Sequence, residues 1–514
     1  MRFKVKLLSV ESGGKPMVTL SKDDSEELGI KSSGRVRIDF NGKKLTAIVN
    51  VVTKAVHKGI VGVYDEVKSY LSLKEGSIVE VDIAKFPKSL QYIKTRLKGR
   101  QLTDEEIFEI VKDTVEGNLS EIEIASFATA LSNFGLNLFE AAALANAMVE
   151  TGEKLNLNKK IIADKHSIGG AVGDKTTLLL VPIIASAGVI IPKTSSRAIT
   201  SAAGTADKAE VLMSVDLDIE EIKSVVEKTN GCIAWGGALN LAPADDIFVQ
   251  VEYPLAIDPF MLPSIMAKKK AVGSTHVVID IPTGRGTKVK TIGDANLLAK
   301  DFMELGKKLN IGTRCAITYG EQPIGYCVGP ALEAKEALEV LMRKKVIPDL
   351  VDKATDIAAI LFDMVGKQNG KQLATEIWKS GRAEEKMREI IMEQGGNHDI
   401  KPDEIEVGEF GLDVNADKNG YMLWIDNNRL VELARAAGSP KDKGAGIKLY
   451  KKVGDGVKKG EKLFTVYAEK SRKLDRVRKV LEEEMVAGVG ERMEMLIQEV
   501  REKPLPKKAF ILER

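Results

Sequence analysis

Residues 164–210 hold DKHSIGGAVGDKTT (164–177), an apolar run, and KTSSRAITSAAGTADKAE (193–210). Two loops rich in glycine, serine and threonine thus flank one apolar element. The first offers Lys165, His166, Ser167, Gly169, Gly170, Gly173 and Thr177. The second offers Ser195, Ser196, Arg197, Ala198, Ile199, Thr200, Ser201, Gly204 and Thr205. Glycine lets backbone N–H groups approach an anion, hydroxyls add donors, and lysine and arginine add charge. One such loop is as readily a tight strand-to-helix turn. Two, each with cations and hydroxyls, point to phosphate held beside a second polar ligand. Neither has the spacing of a Walker loop or of a GxGxxG fingerprint.

Working outward, KIIADKHS, VIIPKTS, HVVIDIP and RCAITYG each run apolar and end in polar or glycine residues. Alternating with helical stretches, they predict a mostly parallel sheet whose ligands collect at the carboxyl ends of its strands. A helical insert from about Ala242 to Ala271 interrupts this pattern. Upstream, Arg100 to Lys154 reads as helix, with capping-box starts at Thr103/Glu106, Ser120/Glu123 and Asn137/Glu140. The first 86 residues look duplicated: VTLSKDDSEELGIKSSGRVRIDF (18–40) echoes VGVYDEVKSYLSLKEGSIVEVDI (61–83). Such a repeat suggests two interlocked halves of one small double-psi-like barrel, with two independent hairpins as the alternative. Past residue 398, alternating strands with turns at Gly454, Gly456 and Gly460 indicate a C-terminal α+β domain.

The expected fold is therefore multidomain α/β. Residues 1–86 are read as the barrel, 87–158 as a helical lobe, 159–398 as an α/β phosphate-binding lobe broken by the helical insert at 242–272, and 399–514 as the last domain. In a chain of 514 residues more than one core is expected. Lys+Arg 76 against Asp+Glu 74 leaves no broad basic footprint for nucleic acid. Three cysteines without metal-type spacing and four histidines without a helical pair give no metal or disulfide signature. The longest apolar run, Leu178 to Pro192, is broken by Pro182, Ser186 and Gly188 and is too short to span a bilayer. A cytoplasmic location without membrane association is the expectation.

Four ordered blocks carry a resemblance. Lys165, His166, Ser167, Gly169, Gly170, Gly173 and Asp174 match one signature of the thymidine/pyrimidine nucleoside phosphorylase family. Ser195, Arg197, Gly204, Thr205, Asp207, Lys208 and Glu210 match a second. SIMAKK (264–269) and QPIGYCVGPALE (322–333) are similar to two more. The N-terminal extension and the SSRAIT form of the second loop resemble an archaeal branch acting on nucleoside monophosphates. The resemblance joins 87–158 with 242–272 as one helical lobe that faces the α/β lobe, 159–241 with 273–398, across a cleft, and it implies a homodimer or larger homo-oligomer. The implied reaction is phosphorolysis of AMP to adenine and ribose 1,5-bisphosphate, with CMP and UMP as further substrates. Phosphate is a co-substrate, and no cofactor is implied.

Residue by residue, the resemblance gives phosphate contacts to Lys165, Ser167, Thr177, Ser195 and Thr205. It gives nucleotide contacts to Gly170, the 196–201 loop, Thr205, Ser264, Lys268 and Lys288. Ser264 and Lys268 are four apart, on one helical face. Lys288, after a strand and a glycine turn with Arg285 nearby, is the candidate for a 5′-phosphate. Asp258, in the apolar stretch YPLAIDPFMLP, is the candidate acid for the departing base, since apolar surroundings disfavour a charged carboxyl. Its other reading is a helix start with Pro259. His166 is the alternative proton or hydrogen-bond partner. Arg197, Asp207 and Glu210 have a competing role as braces of the second loop. FVQVEYPLAID lacks the arginine by which the family holds a pyrimidine, which counts against a thymidine or pyrimidine nucleoside phosphorylase. A phosphoribosyltransferase, the more distant alternative, would need an acidic pair for magnesium that is not evident.

Overall fold

The computed structural model describes residues 1–198 and 201–491. Its N-terminal unit contains β1 (Arg2–Leu7), β2 (Met17–Ser21), α1 (Lys22–Leu28), β3 (Arg35–Phe40), β4 (Lys43–Val52), β5 (Ile60–Val63), α2 (Asp65–Leu71) and β6 (Ile78–Ile83). The two echoing stretches fold alike, as β2–α1–β3 and β5–α2–β6. They do not stand apart as hairpins: the six strands close one barrel in the order β1-β5-β2-β4-β3-β6. The pairs β1/β5 and β2/β4 run parallel, interlocking the halves. Alternate residues point inward, so Phe3, Val5, Val18, Leu20, Val36, Ile38, Val79 and Val81 fill the interior.

Four helices follow, α3 (Ser89–Arg96), α4 (Asp104–Val115), α5 (Glu121–Phe134) and α6 (Leu138–Glu150). The glutamates expected at three helix starts do reach back. Glu106 accepts from the Thr103 N–H at 3.0 Å, Glu123 from Ser120 at 2.7 Å and Glu140 from Asn137 at 3.5 Å. Each satisfies a donor that helical geometry leaves free.

The α/β elements are β7 (Ala163–Ser167), α7 (Thr176–Ser186), β8 (Ile191–Ser195), α8 (Thr205–Ala209), α9 (Ile219–Thr229) and β9 (Gly231–Trp235). The helical insert α10 (Pro243–Leu255) and α11 (Met261–Ala271) comes next. The segment resumes with β10 (His276–Thr283), α12 (Ile292–Lys308), β11 (Gly312–Tyr319), β12 (Cys327–Val328), α13 (Pro330–Leu341), α14 (Pro348–Met364), α15 (Gly370–Ser380) and α16 (Arg382–Glu393). Strand β10 pairs in parallel with β7 and β11, β8 with β9, and an isolated parallel bridge joins Ile162 to Ile190. Both glycine loops leave carboxyl ends of these strands. Strand β9 was not among the strands expected. Its apolar run, Cys232 to Trp235, is only four residues, the shortest length at which a buried strand is read and one that a buried helix segment shares. The insert packs back on the earlier helices through Phe127, Phe248 and Phe260, the last two stacked at 4.3 Å.

Beyond 398 lie β13 (Phe410–Asn415), β14 (Gly420–Ile425), α17 (Asn427–Ala437), β15 (Gly446–Leu449), β16 (Gly456–Val457), β17 (Lys462–Ala468), α18 (Ser471–Glu483) and β18 (Ala487–Gly490). They form two antiparallel sheets, β12-β15-β17-β13 and β16-β14-β18. The first recruits β12 from the α/β segment, so Cys327 and Val328 tie the two regions by backbone hydrogen bonds.

Candidate active site

Lys165 leaves β7 almost fully buried, its Nζ 3.6 Å from Asp174 and 3.5 Å from Asp280. Lys353 reaches the same carboxylates at 3.5 and 2.9 Å. Thr318 donates to Asp280 at 2.6 Å. Burial alone would push Asp174 up, but Lys165, Lys353 and Lys208 together hold it well below the usual carboxylate range. The phosphate candidate Lys165 is therefore fixed in a buried charge network beneath its loop.

The loop itself requires its glycines. Gly169, Gly170 and Gly173 all have positive φ, and a Cβ on Gly170 would stand 2.9 Å from the Lys288 backbone nitrogen. Ser167 accepts from the Gly169 N–H at 3.4 Å. Asp174 then accepts from the Thr176 N–H at 3.1 Å, opening α7 with Thr177 buried in its first turn.

In the second loop Arg197 is claimed by protein. It meets Glu210 at 2.6 and 2.8 Å, reaches Asp216 at 3.3 Å and lies over the Trp235 ring at 4.8 Å. These contacts hold Glu210 at about 2, the Arg197 hydrogen bond chief among them. Asp207 accepts from the N–H groups of Ala198 and Gly204 at 2.7 and 2.8 Å, closing the loop and capping α8. The bracing role thus describes all three side chains, although Glu210 follows α8 rather than sitting in its first turn. Ile199 and Thr200 lie outside the described residues. Ser195 ends β8, and Thr205 starts α8. Ser201 and Gly170 share a separate depression beside α17.

A cavity of about 550 Å³ is lined by His166, Ser195, Ser196, Arg197 and Ala198 on one side. On the other stand Asp245, Asp246 and Gln250 of α10 and Lys268 and Lys269 of α11. Four lysines converge beneath it. Asp164 takes Lys269 at 2.6 Å and Lys193 at 3.7 Å, and Asp245 takes Lys268 at 2.5 Å. Ser264 is buried one turn before Lys268. Burial, then Lys269, brings Lys193 down to about 7. Burial and the charges of Lys269, Lys193, Lys268 and Lys165 push His166 well below its ordinary value. A neutral His166 suits a hydrogen-bonding role rather than that of proton source.

Asp258 departs from its expected surroundings. It sits between α10 and α11, 43% exposed, with its Oδ2 2.9 Å from the Nζ of Lys288, itself 49% exposed. Nor does it cap a helix with Pro259, since α11 begins at Met261. The carboxyl in apolar surroundings is Glu252, in the last turn of α10 and 6% exposed. Its Oε2 meets no hydrogen-bond partner among the described residues. Burial, then the neighbouring Asp258 and Asp245, pushes Glu252 up to about 8. The sequence reading passed over Glu252, although it directly precedes the apolar stretch that holds Asp258. It also missed Lys193, Asp164, Asp280 and Lys353, which become a site only through the sheet. The structure thus gathers His166, Ser195, Ser196, Arg197, Ala198 and Lys268 at one cavity and pairs Asp258 with Lys288 apart from it.

Residues 90–152 match the helical bundle domain of the glycosyl transferase family, and residues 159–384 match its a/b domain. Residues 421–487 match the pyrimidine nucleoside phosphorylase C-terminal domain. The fold and site thus define a glycosyl transferase of the nucleoside phosphorylase type. An AMP phosphorylase of Thermofilum pendens is 48% identical over 100% of both chains. That of Pyrococcus furiosus is 49% identical over 93% of this chain and 95% of its own. The chain belongs to the AMP phosphorylase branch of the pyrimidine nucleoside phosphorylase family. Among solved structures, anthranilate phosphoribosyltransferase from Thermus thermophilus shares the fold over 59% of this chain and 98% of its own. The TM-score there is 0.51 and the identity 20%.

Proposed function

We propose that the protein is a nucleoside 5′-monophosphate phosphorylase that converts AMP and phosphate to adenine and ribose 1,5-bisphosphate. The observation that carries this reading is the presence of two separate cationic centres. One is the buried lysine group beneath the cavity. The other is the half-exposed Lys288, on a loop braced by Gly170. Cleaving a nucleoside with phosphate needs only one anion site; cleaving a nucleotide needs two. The near-full-length likeness to AMP phosphorylases supports the same conclusion.

In this reading the helical and α/β elements face each other across a cleft that holds the cavity. Inorganic phosphate is held by Lys165, Ser167, Thr177, Ser195 and Thr205, and Gly170, the 196–201 loop, Ser264 and Lys268 position the nucleotide. A phosphate oxygen bonds to C1′ of the ribose as the bond from C1′ to the base breaks. Positive charge on the sugar is offset by the incoming phosphate. The 5′-phosphate takes the Lys288 ammonium from Asp258. Freed of Lys288, Asp258 takes a proton from solvent and passes it to a ring nitrogen of the departing adenine, and neutral His166 supplies a hydrogen bond.

A panel of AMP, CMP, UMP, adenosine and thymidine, each with phosphate, tests this reading. AMP is expected to turn over far better than adenosine. A preference for thymidine or uridine over every monophosphate would replace it with a pyrimidine nucleoside phosphorylase.

A further inference from the structure

The 284–289 loop, which carries Lys288, meets Gly170 and also touches the C-terminal domain at Asn427 and Trp424. Gly284 and Gly286 both have positive φ, and Thr287 ties the turn by donating to the carbonyls of Gly284 and Val289 at 2.8 and 2.6 Å. Asn427, at the start of α17 and 2% exposed, donates from Nδ2 to the Gly320 carbonyl at 2.8 Å. Gly320 in turn donates to Thr283, where the loop begins, at 3.0 Å. A Cβ on Gly286 would stand 3.4 Å from the Cβ of Asn427, so the turn lies against the Asn427 side chain. Arg285, whose N–H donates to Glu321 at 3.2 Å, turns its guanidinium over the Trp424 ring at 5.8 Å. Trp424 is held in turn against Gly488, where a Cβ would come within 2.2 Å of the indole nitrogen.

We infer that Trp424 and Asn427 are positioning residues for nucleotide specificity: they clamp the Arg285–Gly286 turn so that Lys288 is presented to the 5′-phosphate. Arg285 then serves as the handle of this clamp and not as a second phosphate ligand. No described residue of the C-terminal domain lines the lysine-rich cavity, and the domain acts on substrate choice through this turn. The inference rests on the assignment of Lys288 to the 5′-phosphate.

The test compares kcat and KM for AMP and for adenosine in Trp424→Ala, Asn427→Ala, Arg285→Met and Lys288→Ala. In the clamp variants Trp424→Ala, Asn427→Ala and Arg285→Met, a misplaced Lys288 should cost roughly 10- to 100-fold in kcat/KM for AMP, mainly through KM, with adenosine unchanged. Trp424→Phe, which keeps an aromatic face under the guanidinium, should restore most of the loss. Arg285→Met and Trp424→Ala should be non-additive, because each removes the same stack. Hydrogen exchange across 284–289 should quicken in Trp424→Ala and Asn427→Ala. If Lys288→Ala alone abolishes the preference for AMP over adenosine while the clamp variants keep it, the clamp is overturned and the 5′-phosphate reading stands. Equal losses for AMP and adenosine in the clamp variants also overturn the clamp. If Lys288→Ala itself leaves the preference intact, the 5′-phosphate reading fails, and the inference fails with it. Should Trp424→Ala not fold, Arg285→Met and Asn427→Ala carry the same test.

Discussion

Lys288 Nζ stands 2.9 Å from Asp258 Oδ2, joining the cation proposed for the 5′-phosphate to the carboxyl proposed for the leaving base. The pair links two parts of the substrate that lie at opposite ends of the nucleotide. Binding of the 5′-phosphate and release of Asp258 from its cation are then one event.

Lys288→Ala removes a charge-assisted contact worth about 1.5–3 kcal/mol, so kcat/KM for AMP should fall roughly 10- to 150-fold. The weak turnover of adenosine should barely change. Steady-state kinetics on both substrates checks this, and a proportional loss on both would move Lys288 into the shared ribose site or the scaffold.

Asp258→Asn keeps the shape and hydrogen-bonding reach of the side chain but cannot supply the proton. It should lower kcat by about 100-fold or more with a smaller change in KM. A near-normal kcat would leave Asp258 as no more than the partner of Lys288.

Lys193 offers a readout of phosphate binding. With its ammonium brought down to about 7, it is mostly neutral at pH 8, and an arriving dianion favours the charged form. Phosphate binding at pH 8 should therefore draw a proton from solution. Calorimetry in two buffers of different ionisation enthalpy measures that uptake. It should vanish in Lys193→Met, and proton release in the wild type would contradict the placement of phosphate over this lysine.

Glu252 predicts a stability profile. Its folded value of about 8 lies above the ordinary 4.5, so the folded state binds a proton that the unfolded chain gives up. Stability from this group is complete below 4.5 and is lost as pH rises through 8. Replacing Glu252 by Gln should remove that loss, so the variant's Tm should gain on the wild type between pH 5 and 9. A constant difference would mean that the buried carboxyl finds a compensating charge.

The two glycine loops, the helix caps and the duplicated barrel were legible because each rests on local chemistry: turn residues, capping spacing, or a repeated stretch. The environment of Asp258 was not. Its apolar neighbours in sequence suggested burial, yet the connection between α10 and α11 leaves it half-exposed against Lys288, while Glu252 takes the buried position. The charge network under the first loop was equally hidden. Asp280 and Lys353 come from elements more than 100 residues beyond Lys165 and meet it only after strand pairing. Strand β9 was missed because four apolar residues, Cys232 to Trp235, are too few to show a period.

The central claim is that inorganic phosphate itself becomes bonded to the ribose. Phosphorus NMR of AMP incubated with the enzyme and ¹⁸O-labelled phosphate tests it most directly. The account predicts ribose 1,5-bisphosphate with the labelled phosphoryl group on C1 and no adenine release in phosphate-free buffer. Ribose 5-phosphate and adenine appearing at the same rate without phosphate would show that water is the acceptor and would contradict it.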